Sequence, residues 1–170
     1  MSDNYSLIIK NGSCYIDGKF QNIDLALTGK KIKKIGKIEP NNSKIFDASN
    51  KIVLPGVIDT QVHFREPGAN NAENLESGSR AAVAGGVTSV FEMPNTNPPT
   101  SNIIEFQKKL DLAKNRMYCN YAFYFGATSD NANELANLRN LEGCCGIKLF
   151  AGSSTGNPLV ADEKDIEKVF

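Results

Sequence analysis

The sequence predicts an α/β protein: a partial (β/α)8 TIM-type barrel, about its first four βα units, preceded by the strands of a small β-sandwich domain. Two observations predict this fold. Residues 5–52 contain short strand-like runs separated by turn signals such as Asn11-Gly12 and Asp17-Gly18, a pattern typical of a small antiparallel sheet or sandwich. From residue 57 onward, strand-like and helix-like runs alternate over short connections, which predicts parallel strands joined by crossover helices.

Local signals define each element of the second part. Apolar and β-branched runs predict strands, whereas amphipathic periodicity, an N-cap at Ser101 and a stop at Gly85-Gly86 predict helices. The change of pattern after Val53 divides the chain into an N-terminal domain, 1–54, and a barrel segment, 55–170. The predicted strands are 57–62, 87–92, 118–125 and 146–150, and the predicted helices are 73–85, 101–115, 130–141 and 162–170.

Chain length limits how much of a barrel can form. A complete eight-stranded barrel needs about 250 residues, whereas roughly 115 of the 170 residues follow the first domain. We therefore expect half a barrel that stops within a helix, with open parallel edges that require a missing C-terminal half or a homo-oligomeric partner. The alternative is a small doubly wound sheet that is complete as it stands.

Composition excludes several classes of partner. The 19 lysine and arginine residues balance the 19 aspartate and glutamate residues, so no net charge favours nucleic acid or an anionic membrane. No apolar run reaches the ~20 residues of a membrane span, and the first residues lack a signal-peptide pattern, which together predict a cytoplasmic protein. The four cysteines form no CxxC pair and are expected to be buried free thiols.

Three polar groups lie at predicted carboxyl ends of strands, where parallel α/β folds place functional side chains. The first is QVHFREPG at 61–68, the second is MPNT at 93–96, and the third is Lys148 in GIKLF at 146–150. Glu92 ends the second strand, but the sequence assigns it no role. His63 is the only histidine in the chain.

These segments resemble the dihydroorotase branch of the amidohydrolase superfamily. The run PGVIDTQVHFREPG at 55–68 is similar to that family's opening signature, and MPNT at 93–96 is similar to its second motif. Lys148, followed by GSSTG at 152–156, is similar to its metal-bridging lysine segment. The order and separation of the three motifs agree as well, and the resemblance spans nearly the whole chain but only the N-terminal part of a family member.

The resemblance implies a zinc site with one or two ions. The family has two histidines in an HxH pattern on its first barrel strand, where residues i and i+2 point the same way. His63 matches the second histidine, whereas Gln61 stands at the first position, and an amide is a weaker zinc ligand than imidazole. Lys148 matches a lysine that bridges two metal ions as a carbamate, a reaction that needs the neutral amine that burial favours. The alternative is a surface lysine or one paired with a carboxylate.

The resemblance also implies the reaction, which is reversible hydrolysis of the cyclic amide of dihydroorotate to N-carbamoyl-aspartate in pyrimidine biosynthesis. Arg65 is expected to bind the substrate carboxylate through its guanidinium fork, and Asn95 is expected to add amide hydrogen bonds. The alternative for Arg65 is a salt bridge with Glu66. The family's catalytic aspartate and two further histidines would lie beyond Phe170, so the isolated chain is expected to be inactive.

Two other functions stay open. Gln61 in place of histidine favours a non-catalytic dihydroorotase-like scaffold that binds a partner such as aspartate transcarbamoylase. The other alternative is an allantoinase-like or hydantoinase-like ring amidohydrolase. Arg65 argues against it, because such a ring lacks the carboxylate that a guanidinium would bind.

Overall fold

A computed structural model describes residues 4–40, 42–152, 160 and 162–170. The chain divides into two compact units, Met1–Pro55 and Gly56–Phe170. None of the helices in the described ranges is long and apolar enough to cross a bilayer. Residues 153–156 of the predicted lysine segment lie outside the described residues.

The first unit contains two small sheets that bury Ile8 and Cys14. One sheet has the order β5 (Lys31–Gly36), β4 (Asp24–Thr28), β1 (Leu7–Lys10), β6 (Lys44–Asp47), and the other has the order β3 (Lys19–Asn22), β2 (Ser13–Ile16), β7 (Ile52–Val53). Most pairs are antiparallel, as the turn signals predict. The antiparallel prediction is wrong for two pairs, because β6 and β7 each reach their neighbour by a crossover and run parallel to it.

The second unit is built on one four-stranded parallel sheet. Its elements are β8 (Val57–Val62), α1 (Leu75–Ala84), β9 (Val87–Glu92), α2 (Ile103–Ala113), β10 (Asn120–Gly126), a 3-10 helix (Ala132–Asn140), β11 (Cys144–Lys148) and α3 (Glu163–Val169). The strands follow one another across the sheet in the order β8, β9, β10, β11, and every neighbouring pair is parallel. The predicted α/β alternation and parallel sheet are confirmed, whereas closure into half of a barrel stays a prediction.

Side-chain caps fix where the first two helices begin. The Asn74 side chain accepts a hydrogen bond from the Ser77 amide, and the Ser77 hydroxyl accepts one from the Asn74 amide, which forms a reciprocal capping box at α1. At α2, the Asn102 side chain accepts from the Glu105 amide. The N-cap predicted at Ser101 is therefore wrong by one residue, because Asn102 makes this hydrogen bond instead.

Aromatic rings fill the layer between the sheet and its helices. Phe123 and Phe125 project from the same face of β10, and Phe106 of α2 lies 6.4 and 6.0 Å from them between ring centroids. All three are fully buried. On the opposite face of the sheet, Phe91 meets Tyr124 edge-on at 6.4 Å. Both faces of the sheet are therefore apolar, as expected for parallel strands.

The cysteines are all free thiols, as predicted. Only Cys14 is buried, however, and Cys119, Cys144 and Cys145 are half-buried. The expected burial is wrong for these three because Cys144 and Cys145 belong to β11, the edge strand of the sheet, and Cys119 precedes β10. An edge strand has one uncovered side, which leaves its side chains partly accessible.

Gly78 provides a test of the packing between α1 and the loop that follows β8. A Cβ atom at Gly78 would overlap the ring of Phe64, whereas one at Gly85, the C-cap, would meet only ordinary contacts at 3.5 Å or more. We expect Gly78→Ala to destabilise the protein by about 1–3 kcal/mol through overpacking, although alanine is ordinarily the better helix former. Gly85→Ala is the matched control and should change the free energy of unfolding by less than about 1 kcal/mol. Urea denaturation measures both, and equal stability of the two variants would contradict the packing described.

Candidate functional site

The carboxyl ends of the parallel strands bring the sequence-predicted residues to one edge of the sheet. His63 follows directly after β8, Asn95 lies three residues after the end of β9, and Lys148 is the last residue of β11. Backbone hydrogen bonds hold the first two segments together, because the Met93 amide donates to the Val62 carbonyl at 3.0 Å. Parallel α/β folds place ligand-binding groups at this edge.

His63 and Asn95 contact each other directly. The Nδ1 atom of His63 lies 2.9 Å from Oδ1 of Asn95, and the Asn95 side chain is buried while His63 is half-buried. An amide oxygen only accepts hydrogen bonds, so in this arrangement the imidazole carries its proton on Nδ1. The lone pair of a neutral His63 is then on Nε2. Asn95, which the sequence predicts as a substrate ligand, here orients the histidine.

The loops that follow β8 and β9 are packed closely against each other. The Asn97 amide donates to the Pro67 carbonyl at 3.1 Å. Gly68 has a φ of 112°, a left-handed conformation that favours glycine. A Cβ at Gly68 would lie 2.6 Å from the Asn97 carbonyl oxygen, so this approach of the two loops requires glycine on steric grounds as well.

The Arg65 side chain forms no hydrogen bond or ion pair with any described residue, although the residue is half-buried. The salt bridge with Glu66 that the sequence allows is absent from this arrangement, because Glu66 pairs with Arg116 instead. Burial raises the pKa of the Glu92 carboxyl, and the charge of Arg65 is among those that oppose this rise. Arg65 is therefore a cation beside the strand ends whose hydrogen-bond donors are not used within the described residues.

Glu66 connects the loop after β8 to the start of α1 and to the segment that follows α2. Its two carboxylate oxygens accept hydrogen bonds from the Arg116 guanidinium at 2.9 and 3.0 Å, and Oε2 also accepts from the Leu75 amide at 2.9 Å, the first residue of α1. Burial raises the pKa of Glu66, but the hydrogen bonds from Arg116 and Leu75 and the guanidinium charge outweigh it and lower the pKa overall. The sequence alone gives no signal for this pairing, because its partners are 50 residues apart.

Lys148 and His63 belong to opposite ends of the strand order, because β9 and β10 lie between β11, which ends at Lys148, and β8, which precedes His63. Its side chain is half-buried, and its Nζ lies 5.2 Å from the centroid of the Phe150 ring. Among the described residues, no carboxylate pairs with it. Its backbone is fixed by the Ala127 amide, which donates to the Lys148 carbonyl at 2.9 Å.

Gln61 is exposed, and its side chain makes no hydrogen bond with the described residues. Its backbone amide donates to Asp59 Oδ1 at 3.0 Å. The pairing of β8 with β9 shifts register between Asp59 and Val62, so this stretch of β8 is irregular. Such an irregularity changes the directions in which side chains point. It weakens the expectation that the side chains at positions 61 and 63 point the same way as a regular i, i+2 pair.

The described residues do not contain a complete metal shell. No cluster of three or more histidine, cysteine, aspartate or glutamate residues occurs among them, and a catalytic zinc site ordinarily uses three protein ligands. The feature that does fit is His63, whose Nδ1 is held by an acceptor while Nε2 is available. Histidine ligands of metals typically have their second nitrogen fixed in this way.

A buried ion pair that sequence reasoning missed lies behind the strand ends. Glu92, the last residue of β9, pairs with Lys109 of α2, and both side chains are at most 1% exposed. Lys109 Nζ also donates to the Met93 carbonyl at 3.2 Å. Burial raises the pKa of Glu92 to about 8, against the opposing charges of Lys109 and Arg65. Burial likewise lowers the pKa of Lys109, against the charge of Glu92.

Comparison with known proteins gives consistent matches. A family model described as the amidohydrolase family matches residues 52–164. An allantoinase of Escherichia coli (strain K12) is 34% identical over 163 residues, which cover 95% of this chain and 36% of the allantoinase. The dihydroorotase resemblance is thus supported at the level of the superfamily, whereas this relative is an allantoinase.

Solved structures agree with the same fold. L-hydantoinase (dihydropyrimidinase) from Arthrobacter aurescens matches with a TM-score of 0.88 at 26% identity, covering 97% of this chain and 37% of that protein. D-hydantoinase (dihydropyrimidinase) from Thermus sp. matches with a TM-score of 0.76 at 27% identity, covering 94% and 36%. The chain therefore spans little more than a third of the length of the relatives that it matches.

The Glu66–Arg116 pair predicts a pH-dependent contribution to stability. Because the folded pKa of Glu66 lies below its ordinary value of 4.5, the stabilisation is complete above that value and is lost as the pH falls through the folded pKa. We expect Arg116→Met to lower the free energy of unfolding by about 1.5–3 kcal/mol at pH 7, with a smaller loss below the folded pKa. Urea titrations across this range measure the difference. Arg139→Met, which removes an exposed arginine, is the control, and a pH-independent loss in Arg116→Met would contradict the assignment.

Proposed function

Because the chain belongs to the amidohydrolase family, we propose that the protein containing it hydrolyses a cyclic amide, and that the ring is a ureide of the allantoin or hydantoin type. The relatives named allantoinase and hydantoinase support this choice of ring. The chain spans 36% of the allantoinase, so the activity is proposed for the whole protein.

The observation that carries the proposal is the contact of His63 with Asn95 at the carboxyl edge of the parallel sheet. It lies inside the segment matched by the family model, and it leaves Nε2 as the acceptor nitrogen of the neutral ring. A histidine held in this state is suited to bind a cation. Arg65, on the same loop, adds a positive charge beside the same edge.

We assign His63 and Lys148 as ligands of a zinc site, with Gln61 as a weaker candidate at the first HxH position. Lys148 would act as a carbamate, formed when its neutral amine adds carbon dioxide and loses one proton, and would then be an anionic oxygen ligand. A bound zinc ion supplies Lewis acidity and lowers the pKa of water. We place the remaining ligands and the proton-transferring carboxylate in the part of the full protein that corresponds to the unmatched part of these relatives.

Dihydroorotate is the second candidate substrate, and Arg65 favours it. The guanidinium forms no hydrogen bond with the described residues, so it retains the fork that binds a carboxylate in bidentate fashion. Dihydroorotate carries such a carboxylate, whereas the allantoin and hydantoin rings do not. The substrate preference of an Arg65 variant therefore separates the two candidates.

The test assays the full protein that contains this chain against allantoin, hydantoin and dihydroorotate. We expect hydrolysis of a ureide ring, and we expect His63→Ala to lower kcat/KM by more than the roughly 10–100-fold that loss of a residue supporting a metal ligand costs. Arg65→Met should leave ureide hydrolysis nearly unchanged, as should the control Arg139→Met. If dihydroorotate is the substrate, Arg65→Met should instead raise KM by about 10–100-fold, as expected for losing a charged hydrogen bond. Full activity of His63→Ala on every ring would refute the assignment of the site.

A further inference from the structure

Lys109 lies where a charged side chain is unfavourable. It shares the buried face of α2 with Phe106 and Ala113, and its own side chain is 1% exposed. A lysine is almost never fully buried unless it is paired. Its pairing with Glu92 relieves that cost, but an apolar pair of the same volume is often as stable or more stable. Stability alone therefore does not account for a lysine at this position.

The polar contacts of the Lys109 ammonium group lie at the carboxyl end of β9. Its Nζ pairs with Glu92, the last residue of β9, and donates to the carbonyl of Met93, the first residue after the strand. The same Nζ lies 5.2 Å from the centroid of the Phe123 ring. No other donor among the described residues reaches the Glu92 carboxylate. The ammonium group thus fixes the position at which the chain leaves β9.

The chain that leaves β9 leads directly to the contact between Asn95 and His63. Met93 also donates through its amide to the Val62 carbonyl, the residue before His63, and Asn95 follows Met93 by two positions. The backbone of Met93 is therefore held at its amide by the strand that precedes His63, and at its carbonyl by the ammonium group of Lys109. Asn95 and His63 approach to 2.9 Å from these two fixed segments.

We propose that Lys109, paired with Glu92, is a positioning residue that holds the turn at 93–95 so that Asn95 keeps His63 in the tautomer with its proton on Nδ1. The proposal rests on the proposed function only for the use of the free Nε2 atom. The tautomer itself is a property of this chain and does not depend on which ring is hydrolysed.

The tautomer of His63 can be measured in the full protein that contains this chain, after removal of metal by a chelator. His63 is the only histidine within these 170 residues, and the ring-nitrogen signals that are lost in a His63→Gln variant identify it. With 15N-labelled histidine, the chemical shifts of the two ring nitrogens of His63 report the ratio of the two tautomers of the neutral ring. The informative variant is the double substitution Glu92→Met with Lys109→Met, which keeps volume and removes the charges together. Lys108→Met is the matched control, because Lys108 is an exposed neighbour on the same helix, and its one ion pair within the described ranges is with Glu105. Asn95→Ala defines the ratio without the acceptor.

We expect the wild-type protein and Lys108→Met to favour the Nδ1–H tautomer. The double variant should keep the dispersed amide spectrum of a folded chain, and its tautomer ratio should fall about fivefold toward that of Asn95→Ala, as expected for one net hydrogen bond. A folded double variant with the wild-type ratio would overturn the proposal, as would an unchanged ratio in Asn95→Ala. A double variant that fails to fold would also overturn it, because the pair would then be required for packing between the sheet and its helices, and not for the position of the turn at 93–95. None of these results depends on ring hydrolysis, so the proposed function is tested separately.

Discussion

The parallel alignment of β8, β9, β10 and β11 is the constraint on which the rest of the second unit depends. Parallel strands place all of their carboxyl ends at one edge, so residues far apart in sequence follow neighbouring strands there. His63 and Asn95 meet across such a pair of strand ends although 32 residues separate them. The same alignment places Lys148 at this edge, at the end of β11, with β9 and β10 between its strand and the strand that precedes His63.

Two buried carboxylates connect this edge to the helices behind it. Glu66 joins the loop after β8 to the first residue of α1 and to Arg116, and Glu92 joins the end of β9 to Lys109 of α2. Each carboxylate is almost fully buried and each is matched by one cation, which is the condition under which buried charges are tolerated. Removing one partner alone would leave a buried charge uncompensated. These pairs therefore make the positions of the two strand ends depend on the packing of both helices.

The sequence predicts the parts of this arrangement that have local signals. The alternation of strand-like and helix-like runs predicts the four parallel strands, and three polar groups at the predicted strand ends contain His63, Asn95 and Lys148. The roles expected of these residues come from the family resemblance. The sequence alone could not predict the partners. Glu66 lies beside Arg65 in sequence but pairs with Arg116, and Glu92 has no interpretable pattern until the fold brings Lys109 to it. Asn95 is similarly predicted as a ligand of the substrate, whereas its contact with His63 appears only when two strand ends are adjacent. Tertiary packing determines long-range pairings of this kind, and the local periodicity of the sequence carries no information about them.

The measurement that tests the central assignment most directly is anomalous diffraction at the zinc edge from crystals of the full protein that contains this chain. We expect an anomalous peak about 2.0–2.1 Å from Nε2 of His63, Asn95 still bound to Nδ1, and density for a carbamate on Lys148. A peak at Nδ1 of His63, or no peak at this edge of the sheet together with an unmodified Lys148, would contradict the assignment.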